Sequence, residues 1–246
     1  MQRRMLRLVP DRLRGHALSL AAAASAMLLV TATPSHASVI WNGDASNGSG
    51  AFGTFLCDSP NYVYTPDWAD GRGPIWGFVN KAGNTRCEAH NVRLNGSEYT
   101  FGPGRAYWWG WETMTNEASP ATVFQWKSNG TGEQHQQNYP VIMMILDNVL
   151  RVWYVAPGEQ WIGIGSGALP ADSWHRIQLG INAQSGTTGS IEVWLDGTRI
   201  VHHAGARTWD DLGNKPRWGV YDSGVAQIDQ VVWINDLKMG DTRGDV

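Results

Sequence analysis

Residues 141–155 read Val-Ile-Met-Met-Ile-Leu-Asp-Asn-Val-Leu-Arg-Val-Trp-Tyr-Val. Two apolar runs of strand length flank Asp147-Asn148, and Asp and Asn tolerate the left-handed backbone that a two-residue hairpin turn requires. The segment predicts an antiparallel hairpin, and its neighbours extend the pattern. Upstream, Tyr107–Thr113 and Thr122–Trp126 each have strand length and composition. Downstream, Trp174–Ile181 alternates, with His175, Ile177, Leu179 and Ile181 on one face. Ser190–Leu195 places Ile191, Val193 and Leu195 inward, and Asp196-Gly197 turns the chain into Thr198–Val201. Arg217–Tyr221, Ile228–Ile234 and Leu237–Met239 complete the set. No window carries a helical period. Many short strands between Gly-rich turns predict an all-β jelly-roll sandwich, two antiparallel sheets with a concave substrate groove on one of them.

The first residues are read apart from the fold. Arg3, Arg4, Arg7, Arg12 and Arg14 precede an uncharged Ala- and Leu-rich run from Ala17 to Thr33, and Ser35-His36-Ala37 presents small residues at the two positions a signal peptidase reads. This predicts a secretory signal peptide over residues 1–37 and one domain over residues 38–246, in an exported bacterial protein. The 19 basic and 22 acidic residues then become 14 and 21, a net charge of −7. Such a surface argues against nucleic acid as a partner. Cys57 and Cys87 are the two cysteines, and export makes a disulfide between them the expectation. The chain also has 14 Trp and 29 Gly, a mixture that suits a carbohydrate-handling β-sandwich and not a helical protein.

Several chemistries lack their signatures. There is no Gly-x-Ser-x-Gly elbow, phosphate loop or His-Glu-x-x-His. Glu192 with Asp196 comes nearest to a glycosidase acid pair, but Asp196 belongs to a turn. What remains is a set of alternating polar faces. Arg86, Glu88 and His90 share one side of a strand, Gln125 and Lys127 share another, and Arg217, Gly219 and Tyr221 a third. Amide, cation, imidazole and phenol together suit β-elimination on a uronic acid. That reaction needs donors for the charge that develops on a carboxylate, and groups that move protons at C5 and at the leaving oxygen.

The order Arg86–Glu88, Tyr107–Trp111, Gln125-Trp126, Pro140–Ile145, Trp174-His175, Glu192–Gly197 and Gly219–Tyr221 resembles the jelly-roll polysaccharide lyases. The glucuronan-lyase and heparin-lyase-I-like branch is nearer and the alginate lyases are more distant. The resemblance implies a concanavalin A-like sandwich and a lyase of uronic-acid polysaccharides. Arg86 and Gln125 would hold the substrate carboxylate, with Tyr221 as acid, base or both and His90 as the base candidate. Lys127, Arg217 and Arg93 would join Arg86 in a basic groove, and Trp109 and Trp126 would line sugar subsites. The chain departs from the alginate lyases where their Gln-x-His reads Gln125-Trp126-Lys127, where Asp222-Ser223 follows the Tyr, and where Arg217 replaces a Lys.

The expected partner is an acidic polysaccharide met by a monomer, with no membrane contact after signal cleavage. No cofactor is required. Asp44 and Asp236 are candidates for a structural calcium. Glu133–Asn138 is a polar loop that reads as a solvated turn or as a lid. Two other readings fit the same sandwich: a non-catalytic carbohydrate-binding module, and a glycoside hydrolase with separated carboxylates.

Overall fold

The computed structural model describes residues 38–116, 121–130 and 137–246, so the proposed signal peptide and residues 133–136 of the polar loop lie outside the described residues. The described strands are β1 (Val39–Asn42), β2 (Phe52–Leu56), β3 (Tyr62–Tyr64), β4 (Asp67–Trp68), β5 (Gly73–Pro74), β6 (Trp76–Asn80), β7 (Arg86–Leu94), β8 (Ser97–Glu98), β9 (Arg105–Thr115), β10 (Ala121–Ser128), β11 (Val141–Leu146), β12 (Val149–Ala156), β13 (Gln160–Ala168), β14 (His175–Ala183), β15 (Gly189–Leu195), β16 (Thr198–Ala206), β17 (Asn214–Tyr221) and β18 (Gln230–Gly240). Sixteen of them form two packed antiparallel sheets, and β4 and β5 pair separately as a two-stranded sheet. The first runs β16-β15-β14-β9-β18-β6-β3, with β1 on β18. The second runs β13-β12-β11-β10-β17-β7-β2, with β8 on β7. This is the jelly-roll sandwich that the alternation predicts.

The hairpins form where the turn residues place them. Asp147 and Asn148 have φ of 54° and 60°, and Asp196 and Gly197 have 49° and 78°. Both turns are left-handed at two positions, which matches the twist of the strands they join. The Cys57–Cys87 disulfide ties the segment after β2 to β7. Its 30-residue separation makes it worth about 3–4 kcal/mol on the chain-entropy estimate.

The core between the sheets is aromatic. Tyr107, Trp109 and Trp111 from β9 meet Phe124 and Trp126 from β10 and Trp218 from β17, all buried. Trp109 and Trp126 ring centroids are 5.4 Å apart, and the Trp126 indole donates to the Thr208 carbonyl at 2.8 Å. Both side chains are 0% exposed, so their expected role in lining sugar subsites is corrected. Their ring faces are covered by neighbouring rings, and a sugar has no way to reach them.

The edges β13 and β16 close against each other at one end. A Cβ on Gly165 would stand 2.4 Å from the Ile200 carbonyl oxygen, and one on Gly167 would stand 2.7 Å from the Leu195 side chain. Glycine permits this approach because it has nothing to remove.

Candidate active site

With one face of the second sheet committed to the core, every alternate side chain points outward. Strand register lines these side chains up into rows. One row crosses His90 on β7, Arg217 on β17, Gln125 on β10, Ile142 on β11 and Trp153 on β12. A second row crosses Arg86, Tyr221, Thr122, Met144 and Arg151. The alternation of Arg86-Cys87-Glu88-Ala89-His90 holds: Cys87 and Ala89 enter the core, and the other three face out.

Glu88 is the centre of the cluster, and sequence reasoning gave it no function. It is 2% exposed. The Gln125 amide nitrogen donates to its Oε1 at 2.7 Å. Arg86 Nη1 and His90 Nε2 stand 3.8 and 3.7 Å from its Oε2. A buried carboxylate needs compensating partners; Gln125 satisfies Oε1, and Arg86 and His90 reach Oε2 only electrostatically, beyond hydrogen-bond distance. In return Glu88 fixes which way the Gln125 amide points. The sequence carries the signal for this, since Glu88 alternates with Arg86 and His90.

The cations converge as expected, with one exception. Arg217 lies close enough to Arg86 and Lys127 for their charges to interact. Burial lowers the Arg217 guanidinium from its ordinary value, partly offset by Glu88. Burial, with Arg217 nearby, brings the Lys127 ammonium down to about 8. Its Nζ donates to the Ser128 and Gly130 carbonyls. Arg93 departs from the expectation. It sits at the far end of β7, about 10 Å beyond His90 along the strand, where its guanidinium donates to the Gly96 carbonyl in the β7–β8 turn. Asn91, at φ 59°, breaks the alternation just before it and sends Val92 into the core.

Two groups are candidates for moving protons. Tyr221 is partly exposed, and the Arg86 guanidinium lies over its ring, 4.5 Å from the centroid. Tyr221 is within electrostatic reach of Arg217 and Tyr139. His90 is 4% exposed, and its Nε2 is enclosed without a hydrogen-bond partner among the described residues. Burial lowers its pKa, against an opposing contribution from Glu88, so the imidazole is neutral at pH 7.

The calcium expectation does not fit these residues. Asp236 is paired with both Arg176 and Lys238, and Asp44 accepts from the Ser46 backbone and hydroxyl. Among the described residues, no three His, Cys, Asp or Glu gather into a cation site. Gln137, from the polar loop, is buried and donates to the Val155 and Arg207 carbonyls.

The outer sheet face thus gathers cations, an oriented amide and a tyrosine, and the family of the chain can be read by comparison with known proteins. The polysaccharide lyase family profile matches residues 61–238. The chain belongs to the polysaccharide lyase family. No curated protein sequence matches it. Among solved structures it is similar to an endo-β-1,4-glucuronan lyase from the fungus Trichoderma reesei, with a TM-score of 0.67 and 18% identity over 85% of this chain and 98% of that one. It is also similar to the alginate lyase vAL-1 from Chlorella virus, with a TM-score of 0.57 and 14% identity over 83% and 100%. A carbohydrate esterase from the Shiga toxin-encoding bacteriophage phi24B is similar too, with a TM-score of 0.56 and 13% identity over 83% and 99%. At such identities the likeness is one of fold, and a lyase and an esterase can share it.

Proposed function

We propose that this polysaccharide lyase cleaves a uronic-acid-containing chain by β-elimination outside the cell that makes it. The observation that carries the reading is the convergence of Arg86, Arg217 and Lys127 around an amide, Gln125, whose orientation Glu88 fixes. The protein is acidic overall, so this local concentration of cations has a specific anion to hold.

In the proposed reaction, Arg86 and Arg217 neutralise the substrate carboxylate. Gln125 donates its remaining amide hydrogen to the charge that develops there. A base takes the C5 proton, the released electron pair forms the C4–C5 double bond, and the C4–O4 bond breaks. The departing oxygen then receives a proton. Tyr221 is exposed to the groove and is assigned both transfers. A second reading keeps His90 as base, since its neutral imidazole has the right protonation state. The wall that encloses its Nε2 stands against that reading.

Glucuronan is the first substrate to try, because the glucuronan lyase aligns over most of both chains. Digests should gain the ultraviolet absorbance of an unsaturated uronate. Cleavage without that absorbance would mean hydrolysis, and binding without cleavage would mean a carbohydrate-binding module.

The Cys57–Cys87 disulfide points to an oxidising, extracytoplasmic compartment. We assign residues 1–37 to a signal peptide removed after Ala37. N-terminal sequencing of the exported protein should begin at Ser38.

A further inference from the structure

The two outer rows do not stop at the catalytic cluster. Three strands away from Tyr221, on β12, Arg151 occupies the end of one row, and Trp153 occupies the next position outward. The inward residues of this strand, Leu150, Val152 and Tyr154, belong to the core, so Arg151 and Trp153 point to the same side as Tyr221 and Gln125. They line a cleft of about 680 Å³.

Arg151 Nε and Trp153 Nε1 are buried and have no hydrogen-bond partner, and Arg151 has no ion pair among the described residues. The indole, meanwhile, is kept open. Gly163 lies directly across from Trp153 on β13, and a Cβ there would already touch the ring at 3.5 Å. Trp161, 44% exposed, stands 6.0 Å from Trp153 and 5.3 Å from Tyr139, which continues the aromatic surface.

We infer that Arg151 and Trp153 form a remote uronate subsite, in which the Arg151 guanidinium holds a sugar carboxylate and Trp153 receives the ring. A planar guanidinium pairs with carboxylate through two parallel hydrogen bonds. The apolar face of a pyranose is flat enough to lie on an indole. Strands are about 4.8 Å apart, close to the length of one sugar along a 4-linked chain. Three strand steps therefore carry the polymer about three sugars from the catalytic centre. The repeat of the polymer and the repeat of the sheet coincide, which brings a second carboxylate to Arg151.

This inference rests on the elimination reading for its ligand, and the test separates the two. Glucuronan trimer and hexamer are titrated, by calorimetry, into Tyr221→Phe protein with and without Arg151→Ala, Arg151→Lys or Gly163→Val. Turnover is measured in parallel in the otherwise wild-type background. Arg151→Ala should weaken hexamer binding about 10–100-fold, as expected for lost hydrogen bonds to a charged group, and leave trimer binding unchanged. Arg151→Lys should restore part of the loss. Gly163→Val should reproduce it by covering the indole while leaving Arg151 in place. If all three variants bind hexamer as the parent does, the subsite is overturned and elimination stands. If hexamer binding depends on Arg151 but the wild type releases no unsaturated ends, elimination is overturned and the subsite stands. Absence of any binding and any turnover overturns both.

Discussion

The outer faces of the two sheets carry similar side chains and treat them differently. On the first sheet, cations are matched with carboxylates. Arg72 pairs with Glu112, which also accepts from Asn235 at 2.8 Å, and Arg176 pairs with Asp236 at 2.8 Å. Arg105 pairs with Asp241 and His175 with Asp196. On the second sheet, Arg86 and Arg217 share one buried carboxylate, Glu88, Lys127 lies within electrostatic reach of Arg217 as well as of Glu159 and Asp210, and Arg151 has no ion pair among the described residues. The first face is neutralised by its own residues. The second leaves Arg86 and Arg217 to share Glu88 and Arg151 without an ion pair, a disposition that suits the anion proposed for it. The presence of arginine says little about a face; how its charge is disposed says more.

The contrast can be broken most severely at Tyr221. Tyr221→Phe keeps the ring under Arg86 and removes the hydroxyl. Steady-state assays on glucuronan should show turnover falling about 10²–10⁴-fold, with substrate binding nearly intact. His90→Ala sharpens the same point. If it retains most activity, Tyr221 serves as both base and acid; if it falls as far as Tyr221→Phe, the base is His90.

Next in size is the oriented amide. Gln125→Ala should lower turnover about 10²–10³-fold, the usual loss for a donor aimed at developing charge. Glu88→Gln should cost less, about tenfold, because Gln125 is still present but no longer held in one orientation. Its effect should fall on kcat more than on KM. A Glu88→Gln variant with unchanged kcat would remove Glu88 from the positioning of Gln125.

A smaller effect comes with pH. Below about 8 Lys127 carries its charge, and above that value it loses it. KM for an anionic polymer should therefore rise as pH passes 8, and Lys127→Arg should remove that rise by keeping the cation. On the acid side, the depressed His90 leaves the imidazole neutral through pH 7, with protonation only below its ordinary value of 6.5. The least effect belongs to the other face. Arg176→Ala should change stability by no more than about 1 kcal/mol, as for other partly exposed pairs, and leave turnover unaltered. Thermal denaturation and the glucuronan assay check both.

The fold was legible wherever alternation and turn chemistry agreed, as in Val141–Val155 and Ser190–Val201. It was not legible in Gln160–Ala168, where glycine at 163, 165 and 167 leaves no apolar alternation to read. Those glycines answer to a neighbour distant in sequence, since Gly165 packs onto the Ile200 carbonyl. At the site, alternation brought Arg86, Gln125, Lys127, Arg217 and Tyr221 to one side. It also contained its own correction: if Gln125 and Lys127 face the groove, Trp126 between them must face the core. Trp109 was harder, because Tyr107–Trp111 is aromatic on both faces. Arg93 was misplaced because it lies at the far end of β7, where its guanidinium closes onto the Gly96 carbonyl of the β7–β8 turn. Arg151 and Trp153 were read as strand residues only, because their company on the outer face depends on register across five strands.

The disulfide has a consequence for when the enzyme is armed. Cys87 lies between Arg86 and Glu88, so the bond fastens the very strand that presents part of the proposed site. In a chain still in a reducing cytoplasm that strand has its ladders to β17 and β2 but lacks the covalent tie. If the proposed export and substrate hold, oxidation on leaving the cell would stiffen the catalytic wall where the polymer is met.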